Sequence, residues 1–256
     1  MRARFLLALL TSTSAAATSA HASTDEPYAH IASVGLITLA GPTGLFQNPT
    51  SGILPKNAFS MESCMAFREN RGDHFQWNGV LATYGVTDWL EISGFGLFIH
   101  GVDETVNGDS SFEVGSFNAR ARVMRESEVL PEVSVGGIAG FGDKERAAHS
   151  VFLSASKWFA LGGGEVMRGL RVHGGLRQTW AERDVDVTTG FAGLEIEVIR
   201  SIFLIGEVNT RDKDVEQTPW SAGLQYKSKS FGLSASVLQA PNDSEETYYV
   251  GIGVSY

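Results

Sequence analysis

From about residue 57 to the last residue, apolar and polar side chains alternate in blocks of roughly ten, separated by stretches rich in turn formers. The final block shows the pattern. Tyr248, Val250, Ile252, Val254 and Tyr256 fall on one face, and Tyr249, Gly251, Gly253 and Ser255 fall on the other. A strand has a side-chain period of two, so one face is apolar and the other small or polar. The same alternation sets Phe231, Leu233, Ala235 and Val237 against Gly232, Ser234, Ser236 and Leu238. It sets Trp220, Ala222, Leu224 and Tyr226 against Ser221, Gly223, Gln225 and Lys227. Leu170, Val172, Gly174 and Leu176 alternate with Arg171, His173, Gly175 and Arg177, and Phe117, Ala119, Ala121 and Val123 with Ser116, Asn118, Arg120 and Arg122. The rhythm predicts about twelve strands, near 58–67, 75–85, 89–99, 112–124, 132–142, 150–160, 169–180, 189–199, 202–210, 220–227, 231–239 and 247–256.

The connections between these blocks fall into two kinds. Arg68–His74, His100–Ser111, Gly142–His149, Ala181–Thr188, Arg211–Pro219 and Ala240–Glu246 read as longer, charged loops. Val86–Asp88, Arg125–Pro131, Leu161–Met167, Arg200–Ser201 and Lys227–Ser230 read as mostly shorter links. Short turns at one end and long loops at the other are the asymmetry of a membrane barrel, which makes the long set extracellular. Acids outnumber bases in that set: His100–Ser111 carries Asp103, Glu104 and Asp109 and no Lys or Arg.

The N-terminus adds a destination. Arg2 and Arg4 precede the apolar run Phe5–Leu10, and Ala20-His-Ala22 supplies a small-residue cleavage site, so residues 1–22 read as an export signal. No later stretch reaches the roughly eighteen apolar residues of a transmembrane helix. A closed barrel is then the spanning structure left, because lipid cannot satisfy an open sheet edge. Alternation alone does not say whether the apolar face points outward to lipid or inward to a soluble core. Trp89, Trp158, Trp180, Trp220, Tyr226 and Tyr256 lie near strand ends, where an interfacial girdle would sit, and they favour lipid outside. The expected fold is all-β, an antiparallel transmembrane β-barrel of about twelve strands at 58–256 in a Gram-negative outer membrane, with both ends periplasmic. Residues 23–57 form a lead-in in which Pro42, Pro49 and Pro55 argue against a regular central strand. It is either a periplasmic segment or one tucked into the lumen.

Three short motifs carry a family resemblance. Gly41-Pro-Thr-Gly-Leu-Phe-Gln-Asn-Pro-Thr50 followed by Leu54-Pro-Lys-Asn57 resembles the opening of YjbH-like outer-membrane barrels. Tyr84-Gly-Val-Thr-Asp-Trp-Leu-Glu-Ile92 looks like a hairpin common to bacterial barrel families. Phe203-Leu-Ile-Gly-Glu-Val-Asn209, then Trp220-Ser-Ala-Gly-Leu-Gln-Tyr226, is similar to the ending of the same group, with Trp220 where that pattern has Asn. YjbH proteins are much longer, so the chain resembles a single barrel module. The resemblance implies an outer-membrane location and a link to exopolysaccharide or envelope biogenesis, and it carries no catalytic residues.

Candidate chemistry concentrates on the polar strand faces. Arg120, Arg122, Arg171, His173, Arg177, Glu195, Glu197 and Glu207 form an expected lumenal charge network. If the loop Ala181–Thr188 joins neighbours centred near Asp184, Arg171 faces Glu197 and His173 faces Glu195, with opposite Cβ atoms ~5 Å apart. The turn Arg200–Ser201 would bring Glu207 near Glu195, with an Arg needed between them. Such a network either plugs and stiffens a narrow barrel or lines a path or binding site.

Other chemistry finds little footing. No G-x-S-x-G occurs, and an enzyme would have to rest on His173 oriented by Glu195, with Ser154, Ser156, Ser234 or Ser236 as the strand serines, or on His74, His100 and His149 at loop edges. Gly162–Gly164 is not followed by Lys-Ser/Thr and does not read as a phosphate loop. No Cys/His cluster offers metal ligands, although the acidic loops suit loose Ca²⁺ or Mg²⁺ bridging to lipopolysaccharide. Cys64 is the sole cysteine, which excludes an intrachain disulfide and reads as a core residue. A formal charge of -9 without a basic stripe argues against nucleic acid.

No cofactor is expected. The expected partners are outer-membrane lipid and lipopolysaccharide, and the barrel-assembly machinery through the C-terminal strand. The expected role is structural or transport-related and not enzymatic. The alternatives are a small-solute or hydrophobic-compound channel, a lipid-modifying outer-membrane enzyme and a soluble periplasmic β-protein.

Overall fold

The computed structural model of the chain describes residue 38 and residues 44–70, 73–103, 108–142, 147–161, 167–181, 185–210, 218–239 and 245–256. The expected export signal, most of the lead-in before residue 44 and Gly162–Gly164 lie outside the described residues.

The strands are β1 (Phe59–Asn70), β2 (Asp73–Thr87), β3 (Leu90–Asp103), β4 (Gly108–Met124), β5 (Glu132–Gly142) and β6 (Ala148–Ala160). They continue as β7 (Gly169–Ala181), β8 (Val185–Ile199), β9 (Ile202–Asn209), β10 (Trp220–Lys227), β11 (Phe231–Gln239) and β12 (Glu246–Ser255). Each pairs antiparallel with its sequence neighbours, and β1 pairs with β12 from Ser60↔Ser255 to Phe67↔Tyr248, which closes the barrel. Closure leaves no free sheet edge. Phe59 and Tyr256 exchange backbone hydrogen bonds of 2.9 Å, so the barrel begins and ends at one rim, here called the lower mouth.

The β-strands extend further than alternation suggests at the opposite, upper end. Most of His100–Ser111, expected as a loop, is strand: β3 runs to Asp103 and β4 starts at Gly108. Outward side chains above an apolar band meet water, so polar residues such as Gln76, Ser111 and Glu113 do not end pairing there. Among the described residues, all three register irregularities lie at the lower mouth, at Gly85/Thr87, Arg122/Met124 and Glu197/Ile199. Bulges gather at barrel rims because an extra residue tightens the local twist.

Burial decides which face points where. Outward positions are apolar and exposed, among them Val80, Ile92, Val151, Leu153, Leu204, Leu224, Leu233 and Ile252. Inward positions are largely polar and buried, including Glu62, Thr83, Glu91, Asn118, Arg120, Ser134, Ser154, Glu195 and Gln225. A soluble barrel would reverse this arrangement, so the chain is a transmembrane barrel with lipid outside. Phe59, Tyr84, Trp89, Tyr226 and Tyr256 ring the lower exterior, and Phe67 stacks on Tyr248 at 5.6 Å toward the upper end. Trp158 corrects the expected girdle. It shares the inward parity of Ser156 and packs over Gly169, where a Cβ would collide with its indole.

Candidate functional site

The described part of the chain's own lead-in lies in the lumen. Residues 44–56 enter it from the lower mouth and reach into its upper half. Leu45 and Phe46 are each 2% exposed and pack on an inward apolar cluster that includes Cys64, Leu81, Leu97, Phe203, Ile205 and Tyr249. Phe46 meets Tyr249 edge-on at 6.0 Å. Gly193 leaves room for Leu45, whose Cδ1 a Cβ there would strike. Pro49 suits this position because it brings no backbone N–H that would need a partner inside the lumen.

Wall side chains hold the plug mainly by its backbone. A Gly44↔Pro49 bridge and a Leu45 N–H to Asn48 carbonyl bond of 3.1 Å fold residues 45–48 into a tight turn. Its N–H groups converge on the Glu207 carboxylate. Phe46 and Gln47 N–H donate to Oε1 at 2.8 and 2.9 Å, and Asn48 donates to Oε2 through its backbone N–H and its Nδ2, both at 2.9 Å. Ser221 adds a hydroxyl donor to Oε1 at 2.6 Å. Successive N–H groups of a turn form a natural anion receptor, and charge-assisted bonds are the stronger kind.

Lower down, the Thr50 carbonyl accepts from Arg120 Nη1 and from Ser154 Oγ, the latter at 3.0 Å. The Ser51 N–H donates to Ser156 Oγ at 3.1 Å, and the Leu54 N–H donates to Glu91 Oε2 at 2.9 Å. At the rim the Asn57 N–H donates to the Gly85 carbonyl at 2.7 Å. Asn57 adopts φ of 66°, in the left-handed region that Asn tolerates better than most residues, and turns the chain from the plug into β1.

The wall charges are paired, but not as the sequence suggests. The β7–β8 register is centred one residue earlier than expected, so Arg171 lies opposite Glu195, His173 opposite Gly193 and Gly169 opposite Glu197. Arg171 reaches down to Glu126 of the β4–β5 turn at 2.8 Å. Glu195 pairs with Lys227 at 2.8 Å, and Lys227 also sits 4.7 Å over the Phe203 ring. Glu207 lies opposite Gly193, not beside Glu195, so the two carboxylates serve different partners. Arg120 binds Glu91 at 2.8 Å, and Arg122 binds Glu132 at 3.1 Å. Glu197 sits at the lower mouth, 4.0 Å from Arg168. Arg177 lies opposite Thr189 on the inward face of β7 and forms no ion pair among the described residues.

Alternation finds the inward face. It does not find Glu62, Glu91, Glu126, Glu132 and Lys227 as partners, because pairing depends on register, and for Glu126 on a turn that folds back inside. Glu62 accepts from Tyr249 Oη at 2.6 Å.

The dyad that an enzyme would need is incomplete here. Ser156 Oγ and His173 Nδ1 are 2.8 Å apart, yet His173 Nε2 and Glu195 Oε1 have no hydrogen-bond partner among the described residues. Ser156 is also covered by the plug's Ser51. His100 and His149 are exposed near the upper rim, and the side chain of His74 lies outside the described residues.

No family model and no curated protein matches the chain. Among solved structures, the fold matches a KdgM porin at 10% identity and a TM-score of 0.56, covering 77% of this chain and 99% of that one. A KdgM porin in complex with disordered oligogalacturonate matches over the same shares, at 10% identity and a TM-score of 0.57. An outer-membrane channel from Pseudomonas putida F1 matches at 12% identity and a TM-score of 0.51, over 82% of this chain and 99% of that one. The fold is that of an outer-membrane barrel. With an apolar exterior and a closed antiparallel wall, a chain of this fold belongs in the outer membrane of a Gram-negative bacterium.

Proposed function

We propose that the protein is an outer-membrane conduit whose lumen is closed by its own N-terminal segment. The observation that carries this reading is the mode of plugging. Residues 44–56 are held by hydrogen bonds to wall side chains and by one apolar contact, rather than as a strand of the sheet. A barrel of about eight strands is filled by its own wall side chains, and diameter grows with strand number. Here a separate segment fills a space lined by paired charges, and its departure leaves a polar path. The reading orients the lower mouth to the periplasm, gives the lipid and lipopolysaccharide contacts to the apolar exterior, and assigns β12 to the barrel-assembly machinery. It contains no catalytic step. The YjbH-like motifs support a finer role in exopolysaccharide export or envelope biogenesis, to be read as altered surface polysaccharide in a deletion strain.

The test is planar-bilayer recording of the purified chain beside a variant lacking residues 44–54. Heat-modifiable gel mobility shows that each has folded. The variant is expected to give discrete conductance steps, and the whole chain to be closed or to conduct far less. A folded variant that remains silent would refute the conduit.

A further inference from the structure

Glu207 lies in the 45–48 turn as a bound carboxylate would. Both of its oxygens are used, and four of the five donors belong to the plug: the N–H groups of Phe46, Gln47 and Asn48 and the Asn48 amide. We propose that this turn is a receptor for a solute carboxylate, that Glu207 occupies it as an internal ligand, and that a carboxylate solute taking Glu207's place frees the plug. The proposal rests on the conduit reading.

Three features support the exchange. The donors are fixed by the turn's own Gly44↔Pro49 bridge and its Leu45 to Asn48 bond, so the receptor stays formed when Glu207 leaves. The displaced Glu207 has somewhere to go. Arg177 shares the inward face of β7 with Arg171 and His173 and makes no ion pair among the described residues. One carboxylate replaces another in the turn, so no buried charge is left uncompensated. The site also lies in the half of the lumen away from the lower mouth, where a solute entering from the upper side arrives first. Below it the plug is tied at Thr50, Ser51 and Leu54 by separate wall side chains and turns at Asn57, which suits a strap fixed at its base.

A tethered carboxylate competes at an effective concentration of about millimolar or above. The solute therefore has to be present at millimolar levels, and the receptor discriminates by chemical class rather than by fine structure.

The experiment records the whole chain in planar bilayers with sodium gluconate added to the upper side, and with the neutral polyol sorbitol as control. Gluconate is expected to raise open probability about tenfold, within the range usual for coupled sites, and sorbitol to leave it unchanged. Glu207→Gln removes the charge and turns one of the two acceptor oxygens into an NH2 donor facing the plug's donors. It is expected to open without gluconate and to gain nothing from it. Ser221→Ala removes one bond that holds Glu207 and is expected to lower the gluconate concentration needed, which keeps the test available if Glu207→Gln does not fold. If gluconate has no effect while the variant lacking residues 44–54 conducts, the receptor proposal fails and the conduit reading stands. A folded but closed Glu207→Gln, or opening by sorbitol to the same extent, likewise overturns it. A silent deletion variant removes the conduit itself.

Discussion

At the scale of single residues, the lumen is a set of buried charges whose partners matter more than their number. Glu195 is 3% exposed and relies on Lys227 at 2.8 Å. Lys227→Met leaves that carboxylate buried without its cation, which costs about 3–5 kcal/mol. The expected outcome is a lower urea midpoint for the heat-modifiable form, with much of the loss restored in a Lys227→Met, Glu195→Gln double variant. Equal losses in the single and double variants would mean that the pair is not the source. Period-two alternation in the sequence reads off the face of Arg120, Arg171, His173, Glu195 and Glu207. It does not read off their partners, because a shift of one residue in the centre of a hairpin moves each residue's partner by two. Glu207 was the least legible. Its partners are backbone N–H groups of a segment about 160 residues away, and no side-chain pattern announces them.

At the scale of elements, the wall and the plug obey different rules. Wall strands answer to lipid on one side. Leu224, outward and 50% exposed near the middle of β10, should tolerate Arg poorly, at a cost of about 2–4 kcal/mol at the bilayer midplane. Folding titrations into lipid vesicles measure this, and a Leu224→Arg barrel as stable as the parent would contradict the lipid-facing assignment. The plug answers to close backbone approach. Gly85 passes against the carbonyls of Leu54 and Pro55, and a Cβ there would meet the Pro55 oxygen within contact distance. Gly85→Ala is therefore expected to displace the base of the plug and raise basal conductance while leaving heat-modifiable mobility intact. An unchanged closed state would show that the base adjusts freely. The strand count and lower boundaries are legible because short turns interrupt the alternation. The upper ends are not, because polar residues above the membrane remain in strand.

At the scale of the whole molecule, the barrel is inside-out: apolar exterior, polar interior, closed wall, and a strap of its own chain along the axis. The sequence left two places open for residues 23–57, and the buried Leu45, Phe46 and Ser51 place the described part of that segment in the lumen. Nothing in the lead-in's own pattern distinguishes the two, because four prolines and scattered apolar residues suit any irregular segment that is sheltered. The choice is made by what faces it: a wall with carboxylates, hydroxyls and an apolar patch set at the right heights. The most direct test is thiol accessibility in lipid vesicles on a Cys64→Ala background. Ser51→Cys, fully buried beside Ser156, is compared with Lys56→Cys, exposed at the lower mouth, using a membrane-impermeant maleimide present on both sides of the membrane. The account predicts rapid modification at position 56 and modification at least about a hundredfold slower at position 51, set by the rare opening of the plug. Equal rates at the two positions in a folded barrel would contradict it.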